Sequence, residues 1–194
     1  MGKRLIGLTG LARSGKDTFA MLLHERHGFK RMAFADPVKL TAVPLFGFSY
    51  EYVFSDQFKS EVQQPWGLTG REILQKLGTE AIRGTFGDDF WIRRLIDAYL
   101  VTYAGIESVV VTDVRFENEA KAIREQGGVI IHIKRRSAGL SGAEANHSSE
   151  QGVCLGERDL IIGNDGSLDE LLDKVNLLIA FLDRVSEKFG LRND

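Results

Sequence analysis

The stretch Gly10-Leu-Ala-Arg-Ser-Gly15-Lys16-Asp17-Thr18 constrains this chain more than any other part of it. It follows the apolar run Leu5-Ile6-Gly7-Leu8 and precedes Phe19, Leu22 and Leu23, which recur at helical spacing. A strand, a glycine-bearing loop and a helix must therefore come in succession. The spacing is G-x-x-x-x-G-K, the pattern of a phosphate-binding loop, in the strand–loop–helix context that the pattern needs. The N–H groups of such a loop and the N-terminus of the helix behind it can cradle a polyphosphate. Lys16 would reach its outer phosphates. The motif points to nucleoside triphosphate chemistry on an α/β fold.

Position 17 departs from the usual pattern. Asp17 stands where a Ser or Thr hydroxyl normally meets Mg²⁺. A carboxylate is also a hard oxygen ligand and would hold the metal directly or through water. Thr18 is the other candidate for that role. A third reading makes Asp17 only an acidic residue in the first helical turn, where the helix dipole favours it.

At 194 residues the chain is expected to be one domain, and its 43% apolar content suffices for a packed core. A net charge of −2 argues against a general nucleic-acid binder. The single cysteine, Cys154, excludes an intrachain disulfide, fits a reducing cytoplasm and is expected to be a buried, inert thiol. The N-terminus runs straight into the first strand, so no signal peptide is expected. Met1-Gly2 opens like a myristoylation signal, but Ile6 occupies the position that needs Ser or Thr. No stretch approaches the ~18 apolar residues of a membrane span. Asn146-His147-Ser148 matches a glycosylation acceptor, which is void in a cytoplasmic protein.

Strand and helix patterns alternate along the chain. Strands are predicted at 4–9, 29–35, 108–112, 129–133 and 160–162. Helices are predicted at 16–27, 37–46, 70–83, from Asp88 or Asp89 to about 103, and 116–126. Thr69 is a plausible N-cap, and Ile73, Leu74, Leu77 and Ile82 form the apolar stripe behind it. Residues 49–68 read as irregular, with Pro65-Trp66-Gly67 as a turn. Residues 135–152 are polar and rich in Gly and Ser and read as a mobile loop. Leu168, Leu171, Leu172, Val175, Leu178, Ile179 and Leu182 mark a long final amphipathic helix. Such alternation implies right-handed crossovers and a mostly parallel sheet covered on both faces.

Ligands of such sheets bind at the carboxyl ends of the strands. Charged residues fall there four times: Lys16, Asp36, Asp113 with Arg115, and Arg135 with Arg136. Asp113 directly follows Val-Val-Val-Thr, the place of an acid that holds Mg²⁺ or its water; a helix N-cap is the alternative. Arg115 reaches the same cleft or pairs with Glu117 or Glu119. Asp36 would orient an acceptor or a metal, and Lys39 would neutralise the acceptor's phosphate; the alternatives are a cap and a surface lysine. Arg71 and Gln75 share a helix face, and Arg83 lies on the same helix. Arg suits bidentate phosphate contact and Gln a base edge, although a solvated polar stripe would look the same. Trp66 and Trp91 are either base-stacking or core residues. Lys134-Arg135-Arg136 opens the polar loop, where arginines could neutralise a transferring phosphoryl group. His147-Ser-Ser-Glu150 is a weak signal by itself.

Taken together these segments resemble the deoxynucleoside monophosphate kinases of bacteriophages. The resemblance is carried by Gly-Lys-Asp-Thr at 15–18, Phe34-Ala-Asp-Pro37 with Lys39, and Thr69-Gly-Arg71…Leu74-Gln75…Leu77-Gly78-Thr79-Glu80…Arg83. It continues through Trp91, Val111-Thr-Asp113-Val-Arg115-Phe116-Glu-Asn-Glu119, His147–Glu150 and Ile162…Asn164-Asp165-Gly166-Ser167-Leu168. It implies a three-layer P-loop kinase fold with a parallel central sheet, an acceptor-binding helical region at about 36–90 and a lid at about 135–152. The implied reaction is transfer of the γ-phosphoryl group of ATP to a deoxynucleoside monophosphate, assisted by Mg²⁺ and shielded from water by the lid.

By this likeness Gly10, Arg13, Ser14, Gly15, Lys16, Asp17 and Thr18 hold ATP, with Asn164 bordering the adenine. Asp17 or Thr18 holds magnesium with Asp113. Asp36, Lys39, Trp66, Arg71, Gln75, Trp91 and Arg115 form the acceptor set. Lys16, Asp113 and Arg135 or Arg136 serve catalysis. A cytoplasmic location follows, that of the host if the gene is viral, with no nucleic-acid or membrane partner. The long C-terminal helix and residues 49–68 are candidate homodimer surfaces. Animal phosphomevalonate kinases look similar and also carry Asp after the loop lysine. A module that binds ATP without turnover is the alternative from a different class.

Overall fold

The computed structural model describes residues 4–103, 108–139 and 152–189. The chain forms two compact units. One comprises Met1–Ala33 with Ile96–Asp194, the other Phe34–Leu95. The two segments His147–Glu150 and Asn146–Ser148, with Met1-Gly2 and most of the expected lid, lie outside the described residues.

The first unit is built on five parallel strands: β1 (Leu5–Thr9), β2 (Lys30–Met32), β5 (Val109–Val111), β6 (Val129–Lys134) and β7 (Leu160–Gly163). Their spatial order is β2-β5-β1-β6-β7. β1 therefore lies in the middle, with Leu5 opposite Val109 on one side and Thr9 opposite His132 on the other. Its continuous apolar sequence follows from this: all five residues are buried, as are all three of β5. Apolar side chains on one face of the sheet pack against α1 (Lys16–His27) and α9 (Leu168–Phe189), joining Ile6, Leu8, Ile131 and Ile133 to Phe19, Leu23, Val175 and Ile179. The opposite face receives α8 (Glu117–Glu125). There Gly7 leaves room for Ile123, Ile130 and Val114.

Chain punctuation is explicit. α1 ends on Gly28 in the left-handed region (φ 70°), whose N–H caps the last turn. α8 is followed by Gly127 at φ 74°, with the Gly128 N–H bonded to the Ile123 carbonyl. Glu119 fixes the start of α8, its carboxylate accepting the N–H groups of Arg115 (2.8 Å) and Phe116 (3.0 Å).

The second unit runs through α2 (Ala35–Phe46), α3 (Tyr50–Val53), α4 (Asp56–Ser60) and a ribbon of β3 (Val62–Gln63) and β4 (Leu68–Thr69). It continues through α5 (Gly70–Gln75), a π-helical segment (Lys76–Arg83), α6 (Gly84–Phe86) and most of α7 (Phe90–Ala98). Its core holds Val38, Ala42, Val53, Phe58, Ile73 and Trp91. Thr69 caps α5 as expected, in a reciprocal box with Glu72. Within the π-helical segment the Gly78 carbonyl accepts the Trp91 indole N–H at 2.8 Å.

Four expectations need correction. β2 covers only 30–32, because its pairing with β5 stops at Met32 opposite Val111 and α2 begins at Ala35. Residues 49–68 are organised rather than irregular. Ser49 and Ser55 each cap a short helix through their hydroxyls, and Pro65-Trp66-Gly67 turns the ribbon. Cys154 is exposed, not buried. Leu168, counted in the apolar stripe of α9, is 56% exposed because it lies at the helix entry, ahead of the buried Leu171. Among the described residues no helix is long and apolar enough to cross a membrane.

A Cβ placed on Gly7 would come within 2.6 Å of Ile130 and 2.9 Å of Ile123. Gly7→Ala should therefore overpack the α8 face and lower unfolding stability by about 1–3 kcal/mol, measurable by urea denaturation.

Candidate active site

The loop between β1 and α1 is shaped by three left-handed residues, Gly10 (φ 143°), Arg13 (φ 64°) and Gly15 (φ 98°). Arg13 is the one non-glycine residue of this kind among the described residues, and a side chain in that region costs about 1 kcal/mol or more. Gly10 and Gly15 are needed for a second reason, which is close packing. A Cβ on Gly10 would strike the Ile133 carbonyl, and one on Gly15 would strike the Asn164 amide.

Asn164 leaves the end of β7 and is buried. Its Nδ2 donates to the Ser14 carbonyl at 2.8 Å, while its own N–H donates to the Lys134 carbonyl at 2.7 Å. It thus binds the loop to the ends of two strands. On the far side of the loop, the Gly139 N–H donates to the Ala12 carbonyl at 2.8 Å. The Lys16 ammonium folds back over the loop and donates to the carbonyls of Gly10 (2.8 Å) and Leu11 (2.9 Å). The Ser14 hydroxyl is buried with no hydrogen-bond partner among the described residues. A buried donor left in that state calls for an explanation, and a bound oxyanion at the loop would provide one.

Asp17 and Thr18 lie in the first turn of α1. The Asp17 carboxylate is 84% exposed and sits 3.9 Å from the Arg31 guanidinium. Asp113 and Arg115 follow β5, where Val114 extends the ladder by donating its N–H to the Leu8 carbonyl. Arg135 and Arg136 follow β6. The Arg136 N–H donates to Asp165 at 2.8 Å, and its guanidinium lies 3.5 Å from the same carboxylate. Every candidate in this unit thus stands at the carboxyl ends of β1, β5, β6 and β7. A cavity of about 510 Å³ opens there, bordered by Gly10, Ser14, His132, Arg135, Gly152 and Asp165.

Sequence reasoning did not single out what flanks this cavity. The Asp159 side chain is fully buried and takes a fork from Arg124, with Nε 3.2 Å from Oδ1 and Nη2 2.6 Å from Oδ2. The His132 Nε2 lies 3.3 Å from the same Oδ2, and the Gly156 N–H donates to it at 2.7 Å. Burial pushes the Asp159 carboxyl up, but hydrogen bonds from Arg124, Gly156 and His132 outweigh it and hold the carboxyl below its ordinary range. The same bond to Asp159 raises the Arg124 guanidinium, against the effect of burial. No local motif marks this cluster, since 35 residues separate Arg124 from Asp159.

The second unit carries the remaining candidates. On α2, Asp36 lies 3.5 Å from the Lys39 ammonium, which sits 4.5 Å from the centre of the Phe54 ring. Lys39 is only 16% exposed, and so is not a freely solvated lysine. Arg71 and Gln75 are one turn apart on α5, and the Gln75 Nε2 is buried with no partner among the described residues. Arg83 is buried and lies 3.4 Å from Asp88. Trp91 is a core residue of this unit. Trp66 is 48% exposed, edge-on to Phe46, and borders an apolar cavity of about 240 Å³ with Ile73 and Leu77.

The parallel sheet, the glycine loop leaving its central strand and the lysine folded over that loop define a P-loop kinase fold. A sugar kinase from Janibacter sp. shares it, with a TM-score of 0.50 at 16% identity over 93% of this chain and 95% of that one. The family model for deoxynucleotide monophosphate kinase matches residues 50–175. A homologue bearing that name from Acanthamoeba polyphaga mimivirus is 32% identical, covering 94% of this chain and 98% of its own. The deoxynucleotide monophosphate kinase of Enterobacteria phage T4 is 25% identical over 92% of this chain and the whole of its own. The chain belongs to the deoxynucleotide monophosphate kinase family.

Because the Asp159 carboxyl titrates lower in the folded chain than in the unfolded one, its contribution to stability is present above about pH 4, the unfolded value. It is lost as pH falls through the lower, folded value. Denaturant midpoints followed from pH 7 to pH 2 should show that acid loss in the wild type. Asp159→Asn should start lower at pH 7 and show a shallower acid limb.

Proposed function

We propose that this enzyme transfers the γ-phosphoryl group of ATP to the 5′-phosphate of a deoxynucleoside monophosphate, as a single kinase domain whose second unit binds the acceptor. The observation that carries the reading is the loop itself. An ammonium is held over the Gly10 and Leu11 carbonyls of a glycine-bearing loop, between the carboxyl end of the central strand and the start of α1. Phosphoryl transfer asks little covalent chemistry of a protein; positioning and charge neutralisation supply most of the rate.

In this reading the loop N–H groups and Lys16 bind the β- and γ-phosphates, and the Ser14 hydroxyl gains the oxyanion partner it lacks. Arg13 presents a second cation from the crest of the loop. The nucleoside part of ATP occupies the 510 Å³ cavity, with Asn164 fixing the loop beneath it. Arg135 and Arg136 border that cavity and neutralise the phosphoryl group in transit.

The donor set suits magnesium. Among the described residues no three His, Cys, Asp or Glu side chains gather to hold a metal by themselves. Magnesium is commonly held by one or two carboxylates together with substrate phosphates and water. Asp113 would supply one carboxylate, and Asp17 or Thr18 a second oxygen. When bound, Mg²⁺ neutralises charge building on the bridging phosphate oxygens.

On the acceptor side, Arg71 and Lys39 of the second unit bind the monophosphate, and Asp36 orients it through Lys39. The Gln75 amide, whose Nε2 is otherwise orphaned, reads a base edge. Trp66 offers a ring face for stacking, and Trp91 supports the helix that carries Arg71 and Gln75.

A coupled assay with ATP, Mg²⁺ and each deoxy- and ribonucleoside monophosphate, with mevalonate phosphate alongside, tests the whole reading. Diphosphate should form from one or a few deoxynucleotides. Turnover of mevalonate phosphate alone would overturn it. Lys16→Ala should lower kcat by at least about 100-fold with an unchanged circular dichroism spectrum. Arg71→Ala should raise the acceptor KM by about tenfold or more and leave ATP affinity within about twofold, as read by initial rates and by titration calorimetry.

A further inference from the structure

The wall of the 510 Å³ cavity includes His132 from β6 and Gly152 and Val153 from the segment leading to β7. From 152 to 159 that segment has neither helix nor strand, so no backbone ladder fixes its path. Side chains do so instead. The Cys154 N–H donates to Glu117 at 3.0 Å, and the Cys154 carbonyl accepts from Arg124 at 3.1 Å. Glu117 and Arg124 lie two turns apart on α8 and are themselves paired at 2.9 Å. Asp159 closes the arrangement. Its buried carboxylate takes the Arg124 fork, the Gly156 N–H and the His132 ring. One carboxylate thus sets both the path of residues 154–159 and the orientation of an imidazole facing the cavity.

A buried ion pair is a poor source of net stability but can specify one arrangement among several. What is specified here includes two sides of the cavity. Resting on the assignment of that cavity to the donor nucleotide, we propose that Asp159 is a positioning residue for ATP, acting through His132 and Arg124 on the pocket wall without touching the substrate. The Nε2 of His132 then carries the proton shared with Asp159, which leaves Nδ1 as an acceptor.

The test separates donor from acceptor. In Asp159→Asn the KM for ATP should rise about tenfold, while the acceptor KM stays within about twofold and unfolding remains cooperative. Glu117→Gln, at the exposed end of the network, should shift the ATP KM in the same direction by a smaller factor. A fluorophore on Cys154, the single thiol of the chain, should respond to ATP titration in the wild type, with its midpoint moved in parallel in both variants. A lowered melting temperature with an unchanged ATP KM would make the network merely structural and overturn the proposal. An equal rise in the acceptor KM would also overturn it. If Asp159→Asn does not fold, an unchanged ATP KM in Glu117→Gln together with an ATP-insensitive label overturns it. Failure of the donor assignment registers elsewhere, as Lys16→Ala binding ATP as tightly as the wild type.

Discussion

The hydrogen bond from Asn164 to the Ser14 carbonyl joins positions 150 residues apart, and the phosphate loop depends on it. The loop passes through three residues in the left-handed region and buries a Ser14 hydroxyl with no partner among the described residues. Its shape must be imposed by its surroundings. Asn164 does this from the end of β7, while the Ile133 carbonyl leaves no space for a side chain at Gly10. Both contacts exist only because β1 lies between β5 and β6, with β7 next in line. Sheet order, glycine placement and the fold of Lys16 over the loop are therefore one constraint seen at three scales.

Beside the Asp159 network, two sets of buried polar side chains differ in how they are satisfied. Glu119, Gln63 and Asn164 are satisfied by nearby backbone and hold turns and caps in place. Ser14 and Gln75 each leave an atom without a partner among the described residues, one in each compact unit. An unpaired buried donor costs roughly 1–3 kcal/mol. Both belong to residue sets that the proposed mechanism assigns to nucleotides, one donor and one acceptor.

The first unit was largely legible in the sequence. Val109–Val111 and Val129–Ile133 are β-branched runs that suit strands buried on both faces, and Lys16–His27 emerged with the bounds its pattern suggested. The second unit was less so. Residues 49–68 are crowded with aromatics, which obscure periodicity, and the caps at Ser49 and Ser55 are the local signal of the two short helices there. The π turn at Lys76–Arg83 leaves no mark on a 3.6-residue pattern, and the bond from Trp91 to the Gly78 carbonyl has no signal in the sequence. The bond that the Asn164 amide makes to the Ser14 carbonyl has no signal in the sequence, where Asn164 is expected only to border the adenine. Arg124 lies on α8, His132 within β6 and Asp159 just ahead of β7, and tertiary structure alone unites them.

The second unit is one uninterrupted stretch, Phe34–Leu95, inserted between β2 and β5, with a core of its own around Phe58, Ile73 and Trp91. No ladder of the main sheet runs through it. Under the acceptor role proposed for this unit, a change in base preference would fall within one contiguous stretch of sequence that contains no strand of the main sheet.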